Sequence, residues 1–483
     1  MPVAEGIEAT AAPNAFFQQI PGSLSIMPVS TLRASDYSLL AYYESIICPS
    51  SVFLEGISNP YRQVLLPMAL QSRGMFHATL AISANTLRLS SAEYAVLALE
   101  HQRQALRHLM HLIKREDMDA TSMDEVLGLV LMLCWFDISD GCRPSWTKHL
   151  KGFRGLLLHH QRLTRNSHSQ SHSLERFFTQ YFVFHLVLAK TTFHTDDIGL
   201  GGDSNACKGN SQQLASEPLP KTDGELDRDF SSPSAAFISA YLSSSKEINL
   251  YMGFSDALLL LINEIAELSV QTPRVIIARQ IKRRLDKLVQ EIPLLNGSIV
   301  VGRERIAILA TAETYRIGAL LFFHEVLRNS QLGSDVVNEV FKPSERAAYI
   351  TSILNLVDSN PDVHHMACLP LWPLFIAGCC ADDDLERVKT LMIFELMEKQ
   401  QRFGNIAPAR QVLEMTWRQR DLRHEETSAP SSKLAKADRG QPTRRVSPNQ
   451  VALPKLALGS SMPNTYEWER ILNMLGGWRI SLT

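Results

Sequence analysis

The chain lacks most of the features that mark secreted, membrane-spanning or strongly charged proteins. It contains only 7 cysteines, an odd number lying mostly in apolar helical stretches, which argues against a disulfide framework and indicates a reducing compartment. Its 48 Lys and Arg residues nearly balance 50 Asp and Glu residues, so no overall positive field attracts nucleic acid or anionic lipid. The N-terminal residues show neither the basic nor the apolar region of a signal peptide.

Long hydrophobic runs and alternating strand patterns are also missing. The most hydrophobic run, 126–136, is far shorter than the roughly 20 residues of a membrane-spanning helix, and Pro370 and Pro373 interrupt the apolar run 366–380. These runs predict buried core segments and no contact with a membrane. Apolar residues instead recur at helical spacing, without internal repeats. The predicted fold is all-α, a multi-helix bundle or irregular helical-repeat domain with long disordered insertions.

Changes in composition divide the chain into six predicted segments. They are a disordered N-terminal lead-in at 1–35, helical block one at 36–196, a flexible linker at 197–234, helical block two at 235–423, a basic disordered insertion at 424–460 and a C-terminal helix at 461–483. The linker is rich in Gly, Pro and Ser and has no apolar period, which is typical of irregular structure.

Local signals predict where two helices begin and which faces they bury. Ser122 and Glu125 have the spacing of a capping box at the start of a buried helix. Acidic residues 382–384 are expected to cap a second helix and neutralise its positive end. The apolar stripes expected to face the core are Leu99, Leu106, Leu109 and Ile113 in one helix, and Leu385, Val388, Met392 and Leu396 in another.

Residues that could bind metal or perform catalysis do not form a convincing set. Acids 382–384 resemble the magnesium motif of helical terpene cyclases, but no second metal motif accompanies them, so helix capping explains them better. The histidines and cysteines with a conceivable zinc role, His364, His365, Cys368, Cys379 and Cys380, lack paired ligand spacing. Core packing is the favoured interpretation of these five. We therefore predict no enzyme, no cofactor and no metal.

Further histidines give no catalytic signature. His101, His108 and His111 lie on one predicted helix without a neighbouring nucleophile. A surface position or a satisfied core position is the default interpretation for each of them.

Two basic segments are candidate contact sites. An amphipathic helix carries Arg279, Lys282, Arg283, Arg284 and Lys287, which could meet DNA phosphates or an acidic partner, although a solvated surface is the favoured alternative. Nearer the C-terminus, a nuclear-import signal is suggested by Lys433, Lys436, Arg439, Arg444 and Arg445. A basic flexible insertion explains the second set equally well.

Five segments are informative through their order along the chain. They are NPYRQVLLPMALQSRGMFHATLAISA, YFVFHLVLAKTT, MGFSDALLLLINEIAEL, AETYRIGALLFFHEVL and CLPLWPLFIAGCCADDDLERVKTLMIFELMEKQQRFGNIAPARQVLEMTWRQRD. The last contains the pair Trp372–Pro373. Together they resemble the fungal-specific transcription factor domain, the regulatory domain of the fungal zinc binuclear-cluster class. The resemblance runs from about Ser58 to Asp421 and leaves out the last tryptophan-containing helix.

This resemblance implies an all-helical regulatory module located in the nucleus, with no catalytic site to carry over. The sequence departs from the family at the DNA-binding head, which needs six closely spaced thiolates, whereas only Cys48 precedes Cys134. Two explanations stay open at this point. The protein acts through a partner, or an upstream cysteine-rich exon is missing from the gene model.

The favoured hypothesis is therefore a transcriptional regulator that controls a fungal secondary-metabolite gene cluster. Its expected partners are transcription factors or co-regulators, and both a homodimer and direct DNA contact stay open. The alternative is a non-transcriptional scaffold or ligand-sensing protein with a pocket lined by Phe322, Phe323 and Trp372. A helical enzyme is the third hypothesis.

Overall fold

The computed structural model describes most of the chain as helices joined by turns. The described residues are 33–55, 59–115, 118–164, 172–193, 238, 241–268, 275–294, 302–330, 333–360, 363, 370–400, 403–428 and 465–483. Within these ranges there is no strand, only isolated bridges between Glu247 and Glu291 and between Ile248 and Ser255. The all-α prediction is confirmed. Of the lead-in predicted at 1–35, residues 1–32 lie outside the described residues, whereas Ala34 and Ser35 begin a helix; the linker and most of the basic insertion also lie outside them.

The helices are numbered in chain order. They are α1 (Ala34–Tyr42), α2 (Leu66–Gln71), α3 (Arg73–Arg88), α4 (Tyr94–Ile113), α5 (Ala120–Ser139), α6 (Ser145–Thr164), α7 (His172–Lys190), α8 (Asp256–Leu268), α9 (Val275–Lys287), α10 (Arg303–Asn329), α11 (Gly333–Val340), α12 (Glu345–Asp358), α13 (Leu371–Cys380), α14 (Asp384–Gln400), α15 (Ile406–Ser428) and α16 (Glu467–Met474).

Prolines explain two wide turns near the N-terminal end of the fold. The π-helical turn Tyr43–Ile47 extends α1, and the π-helical turn Tyr61–Leu65 leads into α2. Pro49 and Pro67 each follow one of these turns by two residues. Since proline has no N–H and its ring collides with the carbonyl four residues earlier, a widened turn relieves the conflict without ending the helix.

In the first half of the fold, which comprises α1 to α7, helix α3 lies at the centre and packs against α1, α2, α4 and α5. Its small residues allow close approach: a Cβ atom on Gly74 would lie 2.3 Å from Cδ2 of His108 on α4. The neighbouring α5 begins two residues before the predicted capping box. Asp119 is its N-cap, and its carboxylate accepts a hydrogen bond from the Ser122 N–H at 2.8 Å.

The capping-box prediction is therefore wrong, because Asp119 supplies the cap that Ser122 was expected to supply. Glu125 does not reach back along its own helix. Its carboxylate instead contacts Nε2 of His108 at 2.7 Å and accepts a hydrogen bond from the Ser72 hydroxyl, so it ties α5 to α3 and α4.

In the second half, which comprises α8 to α16, helix α10 is enclosed by α8, α12 and α13. Among the described residues it is the one helix long and apolar enough to cross a membrane, yet 78% of that apolar window is buried inside the protein. Gly318 permits its closest contact, since a Cβ atom there would lie 2.6 Å from Cβ of Pro373 on α13. The extent of its burial shows that α10 is a core helix.

Tryptophan hydrogen bonds join the two halves at the end of α7. The Nε1–H of Trp372 donates to the Thr191 hydroxyl at 2.7 Å, and the Nε1–H of Trp468 donates to the Thr191 carbonyl at 3.2 Å. One hydrophobic cluster includes residues from Leu39 to Leu482. The last helix, α16, therefore belongs to the same core as the helices of both predicted blocks.

Candidate protein-contact surface

Helix α4 buries a different face from the one that its apolar pattern predicts. The buried positions are Ala98, His101, Ala105, Leu109 and Leu112. Of the predicted core stripe only Leu109 is buried, and Leu99, Leu106 and Ile113 are exposed, so the prediction is wrong for these three. The physical reason is the close approach of α3, which packs on the face of α4 that carries Ala98 and Ala105 and so turns the predicted stripe outwards.

The exposed face of α4 has the spacing of a coiled-coil seam. It consists of Val96, Leu99, Arg103, Leu106, Met110 and Ile113, separated alternately by 3 and 4 residues. We call these residues the α4 seam. Its five apolar members are 38% to 77% exposed. An exposed helical stripe that is apolar at five of six positions is typical of a site that binds another protein.

A second helix, α14, also exposes the stripe that was expected to be buried. Leu385, Val388 and Met392 face solvent, and the face that contains Thr390 and Phe394 is buried. A Cβ atom on Gly378 of α13 would lie 2.8 Å from Cγ2 of Thr390, so the face of α14 that contains Thr390 packs directly on α13.

The acidic residues before α14 act as helix caps and ion-pair partners. The Asp383 carboxylate accepts a hydrogen bond from the Glu386 N–H at 2.7 Å, which confirms the capping interpretation. Asp382 contacts the guanidinium groups of Arg346 and Arg420.

The predicted basic face lies on α9, and carboxylates already occupy much of it. The pairs are Arg279 with Glu339 at 2.9 Å, Lys282 with Asp286 at 2.8 Å and with Glu345 at 3.3 Å, and Arg284 with Glu264 at 2.6 Å. Arg283 and Lys287 are exposed. The local carboxylates offset the positive field, which favours a solvated surface over phosphate binding. Contact through this face stays a prediction.

The predicted import residues Lys433, Lys436, Arg439, Arg444 and Arg445 lie outside the described residues. The same holds for His364, His365 and Cys368. Within the described ranges, no group of three or more His, Cys, Asp or Glu side chains could hold a metal ion.

Buried thiols occupy core positions near these helices. Burial raises the pKa of the Cys142 thiol to about 12 and that of the Cys48 thiol to about 12, and it also raises the pKa of Cys379 and Cys380. Thiols in this state are poor nucleophiles, which agrees with a packing role.

Two polar clusters link α4 to its neighbours. Nδ1 of His77 lies 2.9 Å from Nδ1 of His101, and burial lowers the pKa of both imidazoles, to about 4 for His77. In the second cluster the Glu125 carboxylate lies between the Ser72 hydroxyl and the His108 imidazole. In an activated serine the imidazole contacts the hydroxyl directly, whereas here the carboxylate lies between the two groups. The cluster therefore lacks the arrangement that activates a serine nucleophile. Both clusters hold α4 against α3 and α5.

The chain matches a known protein family over most of its length. A family model described as the fungal specific transcription factor domain matches residues 38–483. The match extends past Asp421 to include α16, and it begins within α1. Searches of curated proteins and of solved structures gave no match.

Proposed function

Because this chain belongs to the fungal-specific transcription factor domain family, whose role is transcriptional regulation, we propose that it acts in the nucleus through protein contacts made by its helical domain. The family points to a non-enzymatic regulator. We further propose that its targets form a secondary-metabolite gene cluster. The observation that carries the contact mechanism is the exposed α4 seam.

A second copy of the chain is the occupant that best fits the α4 seam. If two α4 helices pair antiparallel about a two-fold axis, Val96 faces Ile113, Leu99 faces Met110 and Arg103 faces Leu106 of the other copy. Each layer then joins an a-type position to a d-type position, as antiparallel coiled coils require. Parallel pairing would instead place Arg103 against Arg103 in the middle of an apolar seam, which is unfavourable.

Charges beside the seam favour the same antiparallel arrangement. Glu100 and Arg107 occupy the same flanking position of successive heptads. In the antiparallel pair Glu100 of one copy lies opposite Arg107 of the other, and the two-fold axis repeats this contact. Among the described residues, Glu100 forms one ion pair, a long contact of 3.9 Å to the exposed Arg33 guanidinium. Its carboxylate can therefore turn towards a partner helix.

Reversing one charge of this pair is expected to weaken self-association. In Glu100→Arg or Arg107→Glu, each symmetric contact brings like charges together, and we expect the dimer Kd to rise about tenfold. The double variant carrying both changes restores opposite charges and is expected to return the Kd to near the wild-type value. Sedimentation equilibrium at low salt measures all four proteins.

Ile276→Lys is the matched control, since Ile276 is 70% exposed on α9 and lies outside the α4 seam. It should leave the Kd unchanged. A monomeric wild-type protein at high micromolar concentration would refute the pairing, and so would a double variant that associates no better than the single ones.

The regulatory role has its own test in the cell. Deleting the gene is expected to change the transcripts of a contiguous gene cluster, and restoring Leu106→Lys/Met110→Lys protein is expected not to rescue them. The measurement is transcript profiling, with the Ile276→Lys protein as the rescuing control and a fluorescent fusion to show nuclear location. Unchanged transcripts in the deletion strain would remove the proposal.

A further inference from the structure

A cavity lies between the two halves of the fold. Its volume is about 100 Å³. Its walls come from the end of α5, the middle of α7, the turn before α8 and the start of α15, so both halves contribute. The predicted pocket residues Phe322, Phe323 and Trp372 do not line it. They are fully buried in the packed core, and the prediction placed the pocket wrongly.

Aromatic rings form a large part of the cavity wall. Tyr61, Trp135, Phe184, Tyr251 and Tyr315 all face it. The Tyr61 ring packs on Trp135 with centroids 4.9 Å apart, and the hydroxyls of Tyr61 and Tyr251 lie 3.3 Å apart. These contacts hold the rings in place. The space they enclose is therefore flat-walled and largely apolar.

His185 supplies a hydrogen-bond acceptor in this aromatic wall. Its Nδ1–H donates to the Tyr181 carbonyl at 2.8 Å, which fixes the tautomer because a carbonyl can only accept. Burial lowers the pKa of His185 to about 4, so the ring is neutral at physiological pH. Nε2 is then a lone-pair acceptor, and it has no hydrogen-bond partner among the described residues.

Tyr181 holds the His185 imidazole in place. Its ring stacks on the His185 imidazole with centroids 3.9 Å apart. The residue is 3% exposed, and its hydroxyl has no nitrogen or oxygen partner within the described ranges, where its polar neighbour is the weakly interacting Cys134 thiol. A buried acceptor without a partner is costly, so a bound molecule that donates a hydrogen bond to Nε2 of His185 gains affinity.

We propose that this cavity binds a small, neutral aromatic molecule that donates a hydroxyl hydrogen bond to Nε2 of His185. A volume of about 100 Å³ holds roughly one six-membered ring. If water filled the same space, each water molecule would need two to four polar partners. Among the described residues that line the cavity there is no Lys or Arg, so a charged ligand would be buried there without compensation.

Occupancy would stabilise the packing between the two halves. Leu371 and Met397 of the second half and Ile138 of the first half line the same cavity, so one ring would contact α5, α13 and α14 together. If the chain is the transcriptional regulator proposed above, this contact gives it a route to respond to a metabolite. Binding itself does not depend on that role.

Phenol and toluene are the probes that test the site. They share ring size, but only phenol donates a hydroxyl hydrogen bond. With the purified full chain, phenol is expected to bind about tenfold more tightly than toluene, as measured by calorimetry. In a ¹⁵N-histidine spectrum, the Nε2 resonance of His185 is expected to move with phenol and not with toluene.

Two variants separate the polar contact from the apolar cavity. His185→Phe should bind toluene as before and lose the preference for phenol, and Ile138→Phe should fill the space and abolish binding of both. Failure of phenol to bind the wild-type chain would overturn the proposal. Equal affinities for the two probes, or a phenol preference that survives in His185→Phe, would overturn the hydrogen bond to His185. Each result is obtained without any transcript measurement, so it stands apart from the regulatory proposal.

Discussion

Replacing Gly404 with alanine is expected to lower the free energy of unfolding by about 2 to 3 kcal/mol. A Cβ atom at this position would lie 1.8 Å from the Ser139 carbonyl oxygen and 2.7 Å from its carbon. Both atoms belong to the backbone at the end of α5, so no side-chain rotation relieves the collision. The loop between α14 and α15 would have to move away, and with it Asn405, whose amide donates to the carbonyls of Ser481 and Thr483.

Urea unfolding followed by circular dichroism measures this effect, and Gly152→Ala is its control. Gly152 lies in the middle of α6, and a Cβ atom added there would have no neighbour within 4 Å. Alanine at this position should raise the free energy of unfolding by about 0.5 to 1 kcal/mol, because it restricts the unfolded chain and favours the helix. Equal behaviour of the two variants would show that α5 and the α14–α15 loop do not meet as described.

Replacing Arg346 with methionine is expected to lower the free energy of unfolding by about 3 to 5 kcal/mol. Its guanidinium lies 2.9 Å from the buried Glu325 carboxylate and also donates to the Cys380 carbonyl at 2.9 Å. Methionine preserves much of the side-chain volume but removes the charge. Glu325 is then left in the core with weaker compensation from His324 at 3.2 Å and Arg328 at 3.6 Å.

The pH dependence identifies the cause of this loss. Burial alone would raise the pKa of Glu325, but His324, Arg346 and Arg328 outweigh burial and lower it from 4.5 to about 2. Wild-type stability from this group is therefore present above pH 4.5 and lost as the pH falls towards 2. In Arg346→Met, protonation of Glu325 removes the unpaired charge. The difference in the free energy of unfolding between the variant and the wild type should therefore narrow as the pH is lowered from about 7 to about 4.

Arg279→Met is the matched control for this experiment. Arg279 pairs with Glu339 at 2.9 Å, and both side chains are at least half exposed. We expect a change below about 0.5 kcal/mol with no pH dependence in the same range. A deficit in Arg346→Met that stays constant with pH would show that lost packing, and not the buried carboxylate, causes the destabilisation.

Local sequence predicted the helices well because helix formation depends on short-range spacing. The buried run predicted at 126–136 lies inside α5, and the predicted basic amphipathic helix that carries Arg279 and Arg283 is α9. The Trp372 segment was also informative, since its proline and apolar residues predict a buried helix that the structure shows as α13. The two π-helical turns were missed, although Pro49 and Pro67 were visible signals for them.

The faces that helices bury could not be predicted in the same way. Leu99 and Leu385 have the spacing of core residues, yet both are exposed, because α4 and α14 turn the faces that contain Ala105 and Thr390 towards their neighbouring helices. The cavity was not found from sequence either. His185 and Ile138 are far apart along the chain, and nothing local shows that they line one space.

By itself, the sequence determined that this chain is helical, which apolar runs form buried helices, and which family's regulatory domain it resembles. These properties follow from capping, helical periodicity and the order of apolar segments, all of which act over a few residues or can be seen along the chain. Only the tertiary structure decided that α4 presents a seam, that Glu325 is paired in the core and that His185 faces a cavity. Each of those depends on how closely distant backbones approach, and steric fit between neighbouring helices sets that distance.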